Sequence, residues 1–266
     1  MLIMHMKEAI LEKIKEIEKR FNVTVIYAVE SGSRAWGFAS KDSDWDCRFI
    51  FKRPLADYVS VKKKRDVIDA DDIPIEKDLD FGGWDVFKAM DLLSKSNPPL
   101  MEWLFSPIVY LEKGTAAESM RKYITNHYSN RASAYHYLHM AEGNFKIYIK
   151  DKPEVLRKKY LYVLRPLLCL DWIKSKDSTP PVKFMDVANG LKLDSGVYSA
   201  INSLFEEKIS GKELGMGPHD SALDTFITEK LEDLNKWIID SPVKKPDYTE
   251  LDRILREDVF GKELKN

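Results

Sequence analysis

Two cysteines in 266 residues, Cys47 and Cys169, are too few for a disulfide framework and sit at no metal-binding spacing. A reducing compartment follows, with the cytoplasm as the expected location. No apolar stretch approaches the ~20 residues that cross a bilayer, so no membrane partner is expected. The opening Met1-Leu-Ile-Met-His-Met-Lys7 is too short and too soon charged for a secretory signal. A net charge of −1 offers no excess for coating nucleic acid, though it leaves room for a local basic groove. Internal repeats and low-complexity tracts are missing, and so is the Gly-Lys-Ser/Thr that would complete a Walker-type phosphate loop. Neither a Ser-His-Asp nor a Cys-His constellation stands out. What remains, 44% hydrophobic and 32% charged, supplies a core for one large domain or two modest ones.

The apolar pattern changes along the chain. Ile10, Ile14, Ile17 and Phe21 recur at helical spacing within Lys7–Arg20. The β-branched run Val23–Val29 and the stretch Trp45–Phe51 read as strands, with one or two further strands over Ile73–Phe81 and a brief one over Ile108–Tyr110. Asp85 is placed to cap a helix that Asn97-Pro-Pro99 ends, and a short helix follows over Leu100–Phe105. Beyond Gly114 helical periodicity takes over, predicting helices at 116–127, 130–149, 153–176, 183–188, 197–209, 222–239 and 250–259. The expected organisation is an α+β domain over 1–114 and an all-α domain over 115–266.

One constellation carries chemistry. A buried strand leads into Ser31-Gly-Ser33, a small-residue turn able to approach phosphate closely. Ten residues later Asp44 and Asp46 alternate at the head of another strand. Residues two apart on a strand share a face and lie ~7 Å apart, which suits carboxylates converging on ions ~4 Å from each other. A calcium loop starting at Asp42 is excluded, because its sixth and twelfth positions would be Cys47 and Arg53 rather than Gly and Glu. Phosphate turn beside paired carboxylates reads as nucleotidyl transfer.

Gly-Ser, a spacer of about ten residues and Asp-apolar-Asp resembles the signature of the DNA-polymerase-β-type nucleotidyltransferase superfamily. Gly32-Ser-Arg-Ala-Trp-Gly-Phe38 with Asp42-Ser-Asp-Trp-Asp46 is similar to its bacterial and phage branch proposed for RNA repair, as are Gly83–Lys88, Lys95–Leu104 and Ser106-Pro107. The likeness covers roughly 23–110 and extends more loosely to Leu161–Pro166. It implies a mixed sheet flanked by helices, with Gly32 and Ser33 gripping nucleotide phosphates. It further implies two Mg²⁺ ions (Mn²⁺ as the alternative) on Asp44, Asp46 and a third carboxylate. Asp80 is the choice for that third place and Asp78 the runner-up. The implied donor is an NTP, ATP foremost although no residue selects its base. The implied acceptor is a hydroxyl, an RNA 3′ end first, a protein or a small molecule after it. A non-catalytic module that binds nucleotide or a partner is the competing class.

Further residues are weighed on their own chemistry. Arg34 could fork onto a phosphate or serve a surface ion pair. Lys158, Tyr162 and Arg165 recur at i, i+4, i+7 on one helix face, suited to triphosphate or polynucleotide, with Arg165 set among leucines where an anion would balance it. Lys62–Arg65 and Lys95 are candidate phosphate contacts whose plainer reading is solvated surface. His136, His139 and Glu142 fit packing better than a metal. Trp36, Trp45, Trp84 and Trp103 are core residues by default.

Overall fold

Period-two alternation in the first half and period-3.6 patterning in the second translate directly into strands and helices. The computed structural model describes residues 2–73, 78–211, 214–261 and 263–264; the expected strand Ile73–Phe81 falls in part on 74–77, outside the described residues. Among the described residues the strands are β1 (Thr24–Glu30), β2 (Trp45–Lys52), β3 (Val67–Ile68), β4 (Leu79–Asp85) and β5 (Val109–Glu112), followed by the short β6 (Val155–Leu156) and β7 (Met216–Gly217). The helices are α1 (Leu2–Phe21), α2 (Gly32–Ala35), α3 (Leu55–Tyr58), α4 (Val86–Ser94), α5 (Pro98–Leu104), α6 (Ala116–His127), α7 (Asn130–Tyr148), α8 (Lys158–Lys176), α9 (Phe184–Gly190), α10 (Ser195–Ile209), α11 (Ser221–Asp240) and α12 (Tyr248–Arg253), the last running into a π-helical turn over Ile254–Val259. The fold is mixed α+β, with a C-terminal region that is helical but for the short β6–β7 pair.

Two units are distinguishable: Met1–Ala35, Asp44–His127 and Pro246–Asn266 form the first, Trp36–Ser43 and Tyr128–Lys245 the second. A single cut at Gly114 differs from these units in three places: segment 36–43, α6, and the C-terminal stretch. For α6 the reason is local, since Arg121 on it pairs with Glu112 on β5 at 2.5 Å.

In the first unit β1–β5 form a mixed sheet in the order β3-β4-β2-β1-β5. Strands β2 and β4 run parallel, and the other neighbours are antiparallel. The stripe Ile10, Ile14 and Ile17 of α1 packs on one face with Val25, Ala28, Cys47, Phe49, Phe51 and Phe81. Each such isoleucine contributes about 2–3 kcal/mol by leaving water. On the other face Tyr27 donates to the Trp103 carbonyl of α5 at 3.1 Å. Asp85 closes β4 and caps α4, accepting from the Phe87 amide at 2.9 Å. Asn97 does the same for α5, accepting from Leu100 at 3.2 Å.

The second unit centres on α8, buried along most of its length. The expected start at Pro153 moves to Lys158 because Val155 and Leu156 pair with Gly217 and Met216. Pro166 inside α8 has no N–H for the Tyr162 carbonyl. Asn144 of α7 fills the gap, donating its side-chain amide to that carbonyl at 3.0 Å. Segment Trp36–Ser43 joins this unit through Phe38, fully buried with Tyr160, Leu164 and Phe184 in its core.

Candidate active site

Gly32 follows β1 with φ +58°, the left-handed region where a Cβ is costly. Space forbids a side chain as well, because a Cβ there would lie 2.1 Å from Asp46 Oδ2. The strand end and Asp46 are tied through the backbone: Ser31 N–H donates to the Asp46 carbonyl at 2.9 Å, and the Asp46 amide donates to Glu30 Oε1 at 2.9 Å. The phosphate-turn candidates Gly32 and Ser33 are therefore held directly beside one candidate carboxylate.

The parallel register sets Asp46 of β2 opposite Asp80 of β4. Between them lies a cation that sequence reasoning did not single out. Arg48 Nη2 stands 2.6 Å from Asp80 Oδ2 and 3.2 Å from Asp46 Oδ1, while Nη1 donates to the Asp80 and Cys47 carbonyls at 3.3 Å each. The three side chains are only 22–26% exposed. Burial raises the Asp46 carboxyl above its ordinary range; Arg48 opposes that rise, and the Asp80 and Asp44 charges add to it. Negative charge is thus concentrated here, and a cation relieves it.

Asp44 is exposed at the entrance to β2, and Asp78 is exposed just before β4, where its carbonyl accepts from the Trp45 amide at 2.7 Å. Among the described residues no three His, Cys, Asp or Glu side chains are gathered closely enough to hold a metal ion. The reason is visible in the geometry, for the Arg48 guanidinium takes the space where Asp46 and Asp80 would converge. The donors are hard carboxylate oxygens, the type that divalent ions such as Mg²⁺ take, but Arg48 would have to give way before Asp46 and Asp80 could share an ion.

Glu30 is the second residue the sequence did not flag. It is fully buried, it receives the Asp46 amide, and it accepts from the Tyr110 hydroxyl of β5. Burial pushes its carboxyl up and the two donors pull it back. An acidic residue closing an apolar strand just before a Gly-Ser turn was the available signal. For Arg48 the signal was its position two residues after Asp46, on the same strand face.

Arg34 serves the turn itself. Its Nε donates to the Asp44 carbonyl at 3.0 Å, and its guanidinium lies 3.8 Å from the Trp45 ring centroid. It braces the start of β2. In the helical unit, Tyr162 meets the rings of Trp36 and Phe38 edge-on, centroids 6.1 and 6.3 Å away. Arg165, 3% exposed, lies 4.2 Å from the Trp36 centroid and donates to the Val182 carbonyl at 3.3 Å. Lys158 is close enough to Lys208 to help depress its ammonium, after burial, while Asp42 opposes. Lys208 in turn donates to Ser40 Oγ at 3.0 Å. The predicted face of α8 therefore gathers around segment 36–43.

Other candidates are engaged within the fold. Lys64 pairs with Asp57 at 2.7 Å, and Arg65 with Asp69 and Asp72 at 2.6 and 2.7 Å. Lys95 pairs with Asp91 at 2.7 Å. His136, His139 and Glu142 form no metal-holding group. Trp84 and Trp103 stack on each other, centroids 3.8 Å apart.

Comparison with known proteins adds two findings. The model of a family described as "RlaP: RNA repair pathway DNA polymerase beta family" matches residues 6–257. A relative, the uncharacterized protein YcgL of Bacillus subtilis (strain 168), is 42% identical over 251 residues, covering 94% of this chain and 95% of its own length.

Proposed function

Because the chain belongs to the RNA repair pathway DNA polymerase beta family, we propose that it is a cytoplasmic, Mg²⁺-dependent nucleotidyltransferase that moves a nucleoside monophosphate from an NTP, ATP foremost, to the hydroxyl at an RNA end. The observation that carries this reading is the Asp46–Asp80 register beside a turn where Gly32 leaves no room for a side chain. Backbone amides at Gly32 and Ser33 bind the donor's phosphates, a role suited to the start of a helical turn. The acceptor oxygen attacks the α-phosphorus in line; the new O–P bond forms as the bond to pyrophosphate breaks. Asp80 takes the hydroxyl proton and passes it to water, while Glu30 holds the Asp46 backbone in place. The residues that would hold divalent ions are Asp44, Asp46 and Asp80; bound there, such ions supply a lowered hydroxyl pKa and neutralise the leaving pyrophosphate. The second unit, Trp36–Ser43 with Tyr128–Lys245, is read as the substrate-binding part, with Lys158 and Tyr162 as its nucleotide contacts, Arg165 as their buried support on Trp36, and Arg34 as a brace rather than a phosphate fork.

The test is incubation with labelled NTPs, Mg²⁺ and a panel of RNA, protein and aminoglycoside acceptors, followed by mass spectrometry of each pool. Label in RNA, lost in Asp46→Asn, supports the reading. Label only in protein or small molecules moves the acceptor to that class. Nucleotide binding without transfer to any acceptor leaves a binding module.

A further inference from the structure

On β4, Asp80, Gly82 and Trp84 share one face, and β2 sets Arg48 opposite Gly82 and Ile50 opposite Trp84. Gly82 contributes no side chain, and a Cβ there would meet the Arg48 Cδ at 3.4 Å. The space it leaves forms part of a pocket of about 290 Å³ lined by Arg48, Asp69, Asp80, Gly82, Trp84 and Trp103, among others. This volume sits at the low end for ligand sites (~300–1,000 Å³) and suits one nucleoside rather than a folded chain.

The position of the pocket gives it a role. At one level across the sheet, the Gly32 turn follows β1, Asp46 lies on β2 and Asp80 on β4; the pocket starts at Asp80 and runs along β4 past Gly82 to Trp84, between Arg48 of β2 and Val67 of β3. With strands ~4.8 Å apart, the phosphate turn and the pocket lie on opposite sides of the two carboxylates. In-line displacement demands that same opposition between leaving group and attacking oxygen. We propose that this pocket seats the terminal nucleobase of an RNA acceptor against Trp84 and brings its hydroxyl to Asp80.

Its chemistry favours that occupant. Trp84 is partly exposed and offers an indole, already backed by Trp103, for a planar ring to pack on. The proposal rests on the nucleotidyltransferase reading, so its test must fail separately from that reading.

The experiment compares transfer to short RNAs ending in a normal nucleotide or in an abasic ribose that keeps its hydroxyls, using the wild-type protein, Trp84→Ala and Trp84→Phe. Base stacking is worth roughly 5- to 150-fold in binding. The abasic end should therefore raise the wild-type KM for RNA by a factor in that range. Trp84→Ala should raise the KM for the normal end similarly yet leave the abasic end unchanged, and Trp84→Phe should restore most of the loss. Circular dichroism checks that the Trp84 variants fold; the abasic arm needs no variant at all. Equal wild-type efficiency on both ends overturns the pocket while leaving the enzyme intact. Failure of the wild-type protein to label any RNA overturns the parent reading and the pocket with it.

Discussion

Replacing Gly32 with alanine separates backbone strain from damage to the carboxylate site. Two costs arise at this position. The left-handed φ of +58° costs a non-glycine residue about 1–2 kcal/mol. The new methyl would also stand 2.1 Å from Asp46 Oδ2 and 2.9 Å from its Cγ, so the carboxylate must retreat by about 1 Å, a misplacement worth ~100-fold in rate. Gly114 supplies the control: its φ is +70°, and nothing lies within 4 Å of an added Cβ. Gly114→Ala should lose about 2–8 °C in thermal melts, at 2–4 °C per kcal/mol for a chain of this size, and Gly32→Ala at least as much. Only Gly32→Ala should lose transfer, by ~100-fold in kcat. Equal activity of the two variants in the NTP assay would refute the claim that Gly32 exists to admit Asp46.

Removing the cation with Arg48→Met should destabilise the protein by about 1–2 kcal/mol near pH 8, since two half-buried carboxylates then face each other. That deficit should shrink toward pH 5 as the raised Asp46 carboxyl protonates, which denaturant melts at both pH values will measure. His219 is placed to donate from both ring nitrogens, to Asp224 at 2.6 Å and to the Lys152 carbonyl at 2.8 Å, and its pKa is raised chiefly by the latter bond. Its contribution is complete below the unfolded value of ~6.5 and lost as pH rises through the higher folded value. His219→Gln should therefore lower Tm at pH 6 and leave it unchanged at pH 9. Asn144→Leu should cost about 1–3 kcal/mol by stranding the Tyr162 carbonyl. Adding Pro166→Ala should recover it, because an amide at 166 can then donate to the same oxygen; urea melts of the single and double variants test this.

Residues acting through local periodicity were readable in advance. Ile10, Ile14 and Ile17 declare a helix stripe, and Asp85 declares a cap, because each needs only its neighbours in sequence. Asp46 and Asp80 were identifiable as alternating positions, but their facing each other depends on parallel pairing between strands 34 residues apart. Arg48 escaped notice for a related reason: its partner Asp80 belongs to another strand. Glu30 looked like the polar end of an apolar run, and only the strands on either side make it a buried acceptor. The start of α8 shifted because Val155 and Leu156 find a strand partner some sixty residues later, a pairing no local pattern announces.

The eight residues between the glycine turn and Asp44 have a practical implication for anyone dividing this protein. They interrupt the proposed catalytic motif, yet Phe38 within them is buried among side chains drawn from 134–238. A fragment ending at His127 would carry Glu30, Asp44, Asp46 and Asp80 and still leave that phenylalanine in water. Its missing partners begin beyond the cut, so the shortest piece expected to behave is nearly the whole chain.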